Sequence, residues 1–126
     1  MEGIMENLIE KYKDKLPDSY LDFIAKNERF YSYIGEEFGY VDLWEIDFLS
    51  QIFDTICENH DNLGKDYFPI GSDGGGNTLV IKMTSPTKGL FFIESISLSD
   101  KNAIFYCDNF EKLHQVVKQY KLTNAK

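Results

Sequence analysis

Phe68-Pro69-Ile70-Gly71-Ser72-Asp73-Gly74-Gly75-Gly76-Asn77-Thr78-Leu79-Val80-Ile81-Lys82 is a short apolar run that enters a glycine turn and leaves as an alternating strand. Three consecutive glycines admit positive φ and close backbone approach at little steric cost. Asp73 and Asn77 can hydrogen-bond the local backbone, so Pro69, Gly71, Asp73, Gly74, Gly75, Gly76 and Asn77 read as a built structural turn. The strand beyond it sets Leu79, Ile81 and Met83 on one face and Thr78, Val80 and Lys82 on the other. A phosphate loop would need its glycines to open a helix through Gly-Lys-Ser/Thr, because the helix N-terminus and the lysine meet the anion. Here a strand follows, no such tripeptide occurs, and the contiguous glycines lack dinucleotide-binding spacing.

Downstream, Thr78 to Thr84, Leu90 to Ser95 and Ala103 to Cys107 are strand candidates joined at hairpin lengths, which predicts a meander. Asp108 with Glu111 three residues on predicts a capping box, and Phe110, Leu113, Val116, Val117 and Tyr120 form the stripe of a closing helix. Upstream, residues 4 to 12 carry Ile4, Met5, Leu8, Ile9 and Tyr12 at helical intervals. A second helix is predicted over 16–24, with Pro17 at its first position, Tyr20, Phe23 and Ile24 inward and a stop at Asn27. Phe30 to Trp44 turns aromatic and β-branched around Gly35 and Gly39, as two short strands would. Leu49, Ile52, Phe53 and Ile56 restore helical spacing before the polar loop 59–64.

These elements predict an α+β fold: one mostly antiparallel meander sheet covered on one face by N-terminal, middle and C-terminal helices, in a single domain over 1–126. The expected core comprises Tyr20, Phe23, Ile24, Leu79, Ile81, Phe91, Ile93, Ile104, Tyr106, Phe110, Leu113 and Val117. At 126 residues, 43% hydrophobic and 15% aromatic, the chain can bury one substantial core and is not a disordered segment. No apolar run approaches membrane-spanning length and the first residues lack a signal-peptide pattern, so a cytoplasmic protein is expected.

Chemistry-bearing residues are sparse. Cys57 and Cys107 lie fifty residues apart and read as reduced thiols, while His60 and His114 match no metal-ligand spacing. No nucleophile motif surrounds Ser19, Ser72 or Cys107. The expectation is a protein without catalytic residues, metal or cofactor.

Charge is more informative. Residues 36 to 73 hold ten carboxylates against Lys65 alone, a net −9 within a chain of net −8, whereas residues 74 to 126 net +3. Such a domain repels nucleic-acid phosphates and attracts a basic partner to its acidic side. The candidate partner-binding residues are Glu36, Glu37, Asp42, Trp44, Glu45, Asp47, Asp54, Glu58 and Asp61. Tyr33, Phe38, Tyr40, Trp44 and Tyr67 lie in or beside the same stretch, and about two of these rings are expected at the surface as anchors. A solvated acidic surface that only confers solubility is the competing explanation.

Four features stand together: the Leu16-Pro17-x-x-Tyr20-x-x-Phe23-Ile24 helix, the Leu43-Trp44 pair, the Phe68-Pro69-Ile70-Gly71-x-Asp73-Gly74-Gly75-Gly76-Asn77 turn and the aromatic-led helix at Phe110. In these the chain resembles the SUKH superfamily, which includes fungal Smi/Knr cell-wall regulators and many bacterial immunity proteins. It departs from that pattern at Asn27-Glu28-Arg29, where the family often has Asn-Gly-Gly. The resemblance implies a protein-binding domain, foremost an immunity protein that neutralises a cognate toxin of a polymorphic or contact-dependent system. A nuclease toxin would offer its basic groove to the acidic residues, with Trp44 or a tyrosine as the apolar anchor. The alternatives are a regulatory interaction module of the fungal kind, or a small hydrolase or ligand-binding domain using the glycine turn. Membrane partners are not expected, and the sequence leaves the oligomeric state open.

Overall fold

The computed structural model describes residues 8–26, 30–34, 36, 39–58, 65–74, 76–85, 88–94, 103–113 and 115. Its elements are α1 (8–12), which runs into a 3-10 turn at Lys13–Lys15, then α2 (Asp18–Ala25), β1 (Phe30–Tyr33), β2 (Tyr40–Leu43) and α3 (Ile46–Glu58). There follow β3 (Tyr67–Ser72), β4 (Asn77–Lys82), β5 (Leu90–Glu94), β6 (Ile104–Cys107) and α4, described over 110–113 and 115. The strands form a single six-stranded sheet in chain order, every neighbouring pair antiparallel. The fold is α+β, and the sheet is the expected meander.

One core lies between the sheet and the helices. Tyr12 of α1, Tyr20, Phe23 and Ile24 of α2, Ile46, Leu49 and Phe53 of α3, and Phe110 and Leu113 of α4 bury against Val41, Leu43, Phe68, Ile70, Leu79, Ile81, Leu90 and Phe92. Aromatic rings form its centre. Phe68 meets Tyr12, Tyr20 and Phe53 with centroids 5.1 to 5.9 Å apart, and Tyr20 meets Phe110 edge-on at 5.1 Å. Tilted and edge-to-face contacts of this kind add to the hydrophobic gain of burying the rings.

Helix ends depart from expectation in two places. Pro17 is the N-cap of α2, with extended backbone (φ −70°, ψ 149°), rather than its first helical residue. Its carbonyl accepts from the N–H groups of Tyr20 and Leu21, both at 3.1 Å, so the helix begins at Asp18. At α4 the cap is Asn109, whose Oδ1 accepts from the Lys112 N–H at 3.1 Å. Asp108 instead holds the Lys112 ammonium at 3.0 Å, so the cap stands one residue later than the predicted capping box. The expected stop at Asn27, the loop 59–64 and Val116, Val117 and Tyr120 lie outside the described residues.

The sheet is also buried on part of its second face. Thr78, Val80 and Lys82 point away from the helices, yet Val80 is fully buried with Tyr67 and Ile93, and Phe91 and Ala103 pack beside them. The expected core is corrected accordingly in β5. Leu90 and Phe92 enter the helix-side core, and Phe91 and Ile93 belong to the second cluster because the Val80–Phe91 and Leu79–Phe92 pairs fix the register. Ile104 of the edge strand β6 is 52% exposed rather than buried, and Tyr106 is only partly buried against the core.

Candidate functional site

The glycine turn closes as a backbone device. Asp73 accepts from the Asn77 backbone N–H at 3.0 Å through one carboxylate oxygen and from the Asn77 side-chain amide at 2.8 Å through the other. The Asp73 N–H returns to the Asn77 carbonyl at 3.1 Å. Gly74 and Gly76 have φ of +75° and +99°, a region closed to most side chains. Gly75 lies outside the described residues. The turn delivers the chain into β4, so no helix opens from its glycines.

Two further turn residues act inside β3. Pro69 lacks the N–H that a central strand normally donates, and the ladder shifts register between Pro69 and Gly71, where a bulge accommodates it. A Cβ at Gly71 would run into the Asp42 carbonyl oxygen and approach the Leu43 Cα to 3.2 Å. Glycine there lets β2 come close to β3, which brings the Trp44 N–H to the Ile70 carbonyl at 3.0 Å.

The acidic candidates divide between two sides of the molecule. Asp42 lies on β2 directly opposite Tyr31, on the sheet face away from the helices. Asp47 and Asp54 are exposed and two turns apart on α3, whose Ile46, Leu49 and Phe53 are buried on the other side of the sheet. Glu45 is half-buried at the entry to α3, where its carbonyl accepts from Leu49 at 3.0 Å, and Glu36 is exposed in the β1–β2 connection. Glu37 and Asp61 lie outside the described residues, as does the side chain of Glu58.

Trp44 cannot be the apolar anchor. It is 7% exposed, packs in the core and meets Phe48 edge-on at 5.7 Å. Tyr67 is likewise buried, and Phe38 lies outside the described residues. Among the described residues the exposed rings are Tyr40, at 42%, Phe105 of the edge strand β6, at 53%, and Tyr31, at 67%, which was not among the expected anchors. Tyr31 and Tyr40 stack with centroids 5.2 Å apart and planes 7° apart, and Tyr33 meets Tyr40 at 5.2 Å and 63°. The signal in sequence was the alternation Phe30-Tyr31-Ser32-Tyr33, which places both tyrosines on one face.

Cys107 is a free, half-buried thiol whose Sγ donates to the Asn109 carbonyl at 3.3 Å. Burial pushes its pKa up to about 11, so it is protonated at neutral pH and a poor nucleophile. Among the described residues no group of histidine, cysteine and carboxylate side chains could hold a metal ion, and no helix is long and apolar enough to cross a membrane.

No curated protein matches the chain. The sequence model that defines the SMI1 / KNR4 family (SUKH-1) matches residues 5–115, which span both the glycine turn and the helix-covered sheet, and the chain belongs to that family.

Proposed function

We propose that this protein is a non-catalytic binding domain of the immunity type, acting in the cytoplasm, which captures a basic toxin domain and blocks its active site or its access to substrate. The observation that carries the reading is family membership, since many bacterial SUKH proteins neutralise toxins of polymorphic or contact-dependent systems. Two physical features agree with it. Residues 36 to 73 concentrate a net −9, and the exposed Tyr40 stands within that stretch with the exposed Tyr31 just before it. An acidic field raises the encounter rate with a cationic partner, and aromatic anchors slow its departure. The protonated Cys107 thiol argues against thiolate catalysis.

The test is co-expression with the products of the genes that flank its own, among which this reading expects a toxin. Immunity predicts restored growth together with a complex that survives gel filtration. Growth inhibition that the protein does not relieve, with no complex formed, would discard the toxin and favour a regulatory interaction module.

A further inference from the structure

We infer that the Tyr31–Tyr40 stack on the outer face of β1 and β2 is an arginine-accepting platform, on which a guanidinium of a basic partner segment lies flat against the Tyr31 ring beside Asp42. This rests on the reading that the partner is basic and adds where and how that partner is gripped. Tyr31 is 67% exposed although one side of its ring is covered by the parallel Tyr40 ring, so the accessible area lies on its other side and its rim. The Tyr33 ring abuts Tyr40 at 5.2 Å and buttresses the stack, so a ligand meets a surface already ordered. Asp42 sits directly across the ladder from Tyr31 on the same face. Facing side chains on neighbouring strands stand about 5 Å apart at Cβ, within reach of one guanidinium that stacks on the ring and bonds the carboxylate.

Charge selects the occupant. Residues 30 to 45 contain Glu36, Glu37, Asp42 and Glu45 and no lysine or arginine, so a phosphate-bearing ligand is repelled and a cation is drawn in. Flat, weakly hydrated guanidinium suits a ring face better than the compact ammonium of lysine. The chain makes the corresponding contact internally, with the Lys82 ammonium 5.8 Å from the Phe91 ring centre and that of Lys11 5.5 Å from Tyr12.

The probes are an acetylated, amidated octapeptide alternating glycine with arginine, and its lysine counterpart of equal charge, titrated calorimetrically into the full chain. The arginine peptide is expected to bind about five-fold more tightly than the lysine peptide. That preference should vanish in Tyr31→Ala/Tyr40→Ala and persist in Tyr31→Phe/Tyr40→Phe, which keeps both ring faces, with each variant melting like the parent. Equal affinities, no binding of either peptide, or a preference that survives the alanine pair would overturn the platform. So would a parent dimer that the alanine pair converts to monomer, since the patch would then hold a second copy of this chain. A toxin encoded by a flanking gene that the alanine pair binds with unchanged Kd would overturn the platform and leave the immunity reading standing. A tyrosine-dependent arginine preference in a chain that ignores the products of its flanking genes would support the platform and remove the immunity reading.

Discussion

Gly71, Gly76 and Tyr20 act on stability through backbone geometry and desolvation. Gly71 and Gly76 are both turn glycines, yet they do different things. A methyl at Gly76 meets nothing within 4 Å, so Gly76→Ala carries only the conformational cost of φ +99°, about 1 kcal/mol. Gly71→Ala drives a methyl into the Asp42 carbonyl oxygen and must spread β2 from β3, which costs about 1 to 3 kcal/mol or more. Urea midpoints of the two variants give the order, and a larger loss at Gly76 would contradict it. Tyr20 supplies a second contrast. Its hydroxyl is fully buried among Phe23, Phe68 and Phe110, with no hydrogen-bond partner among the described residues. Tyr20→Phe removes an unsatisfied polar group while keeping the ring, and is expected to leave stability unchanged or raise it. The same burial pushes the Tyr20 pKa well above its ordinary value of 10, because the ionised form is stable only in the unfolded chain. Its contribution is therefore intact below about pH 10 and is lost above it, with a slope of about 1.4 kcal/mol per pH unit. Tyr106 and Cys107, also raised by burial, add to the alkaline loss in both proteins, so the parent should lose stability more steeply than Tyr20→Phe by that slope.

At the scale of elements, ends and registers decide the outcome. Asn109→Ala removes the side chain that caps α4 and should cost about 1 kcal/mol, whereas Asp108→Ala loses only an exposed ion pair to Lys112, with an effect within about 0.5 kcal/mol. Equal losses in thermal melts would mean that the capping geometry is wrong. Sequence placed the cap at Asp108 because two adjacent residues, both competent to cap, precede the apolar stripe, and spacing to Glu111 favours the first. β4 was legible because Lys82 and Thr78 interrupt its apolar set. β5 was not: Leu90-Phe91-Phe92-Ile93 is a continuous apolar run with no polar residue to mark a face, and both its faces are buried. Its register is set from outside, by pairing with β4 and by the shift between Leu90 and Phe91 against β6. Phe92→Ala, on the helix side, should cost about 3 to 5 kcal/mol, and Ile104→Ser on the exposed edge should change stability by less than about 0.5 kcal/mol. On the candidate site, sequence showed where charge concentrates but not which ring reaches solvent. Trp44 is not the expected anchor because the chain turns from β2 into α3 immediately after Leu43, which carries Trp44 into the core.

For the whole molecule the relevant quantity is how its charge is arranged around the sheet. Asp42 and the tyrosine stack occupy the face away from the helices, and Asp47 and Asp54 occupy the exposed side of α3. A partner cannot contact both surfaces flatly, yet both contribute to the field that it meets on approach, since at low salt the Debye length reaches about 30 Å. Steering and gripping are thus separable by position. Reversing Asp54 and Glu36 to lysine removes acidic charge at two exposed sites without touching the tyrosines. It should slow association with a basic partner several-fold at low ionic strength and flatten the dependence of that rate on salt, while leaving the dissociation rate nearly constant. Tyr31→Ala, which leaves net charge at −8, should do the opposite: an unchanged association rate with the same salt slope, and dissociation faster by about ten-fold or more. Stopped-flow kinetics at two ionic strengths against the toxin that co-expression identifies distinguish the cases. If the charge reversal leaves the association rate and its salt slope unchanged in a folded protein, the carboxylates of residues 36 to 73 serve solubility alone, and the acidic field has no part in capture.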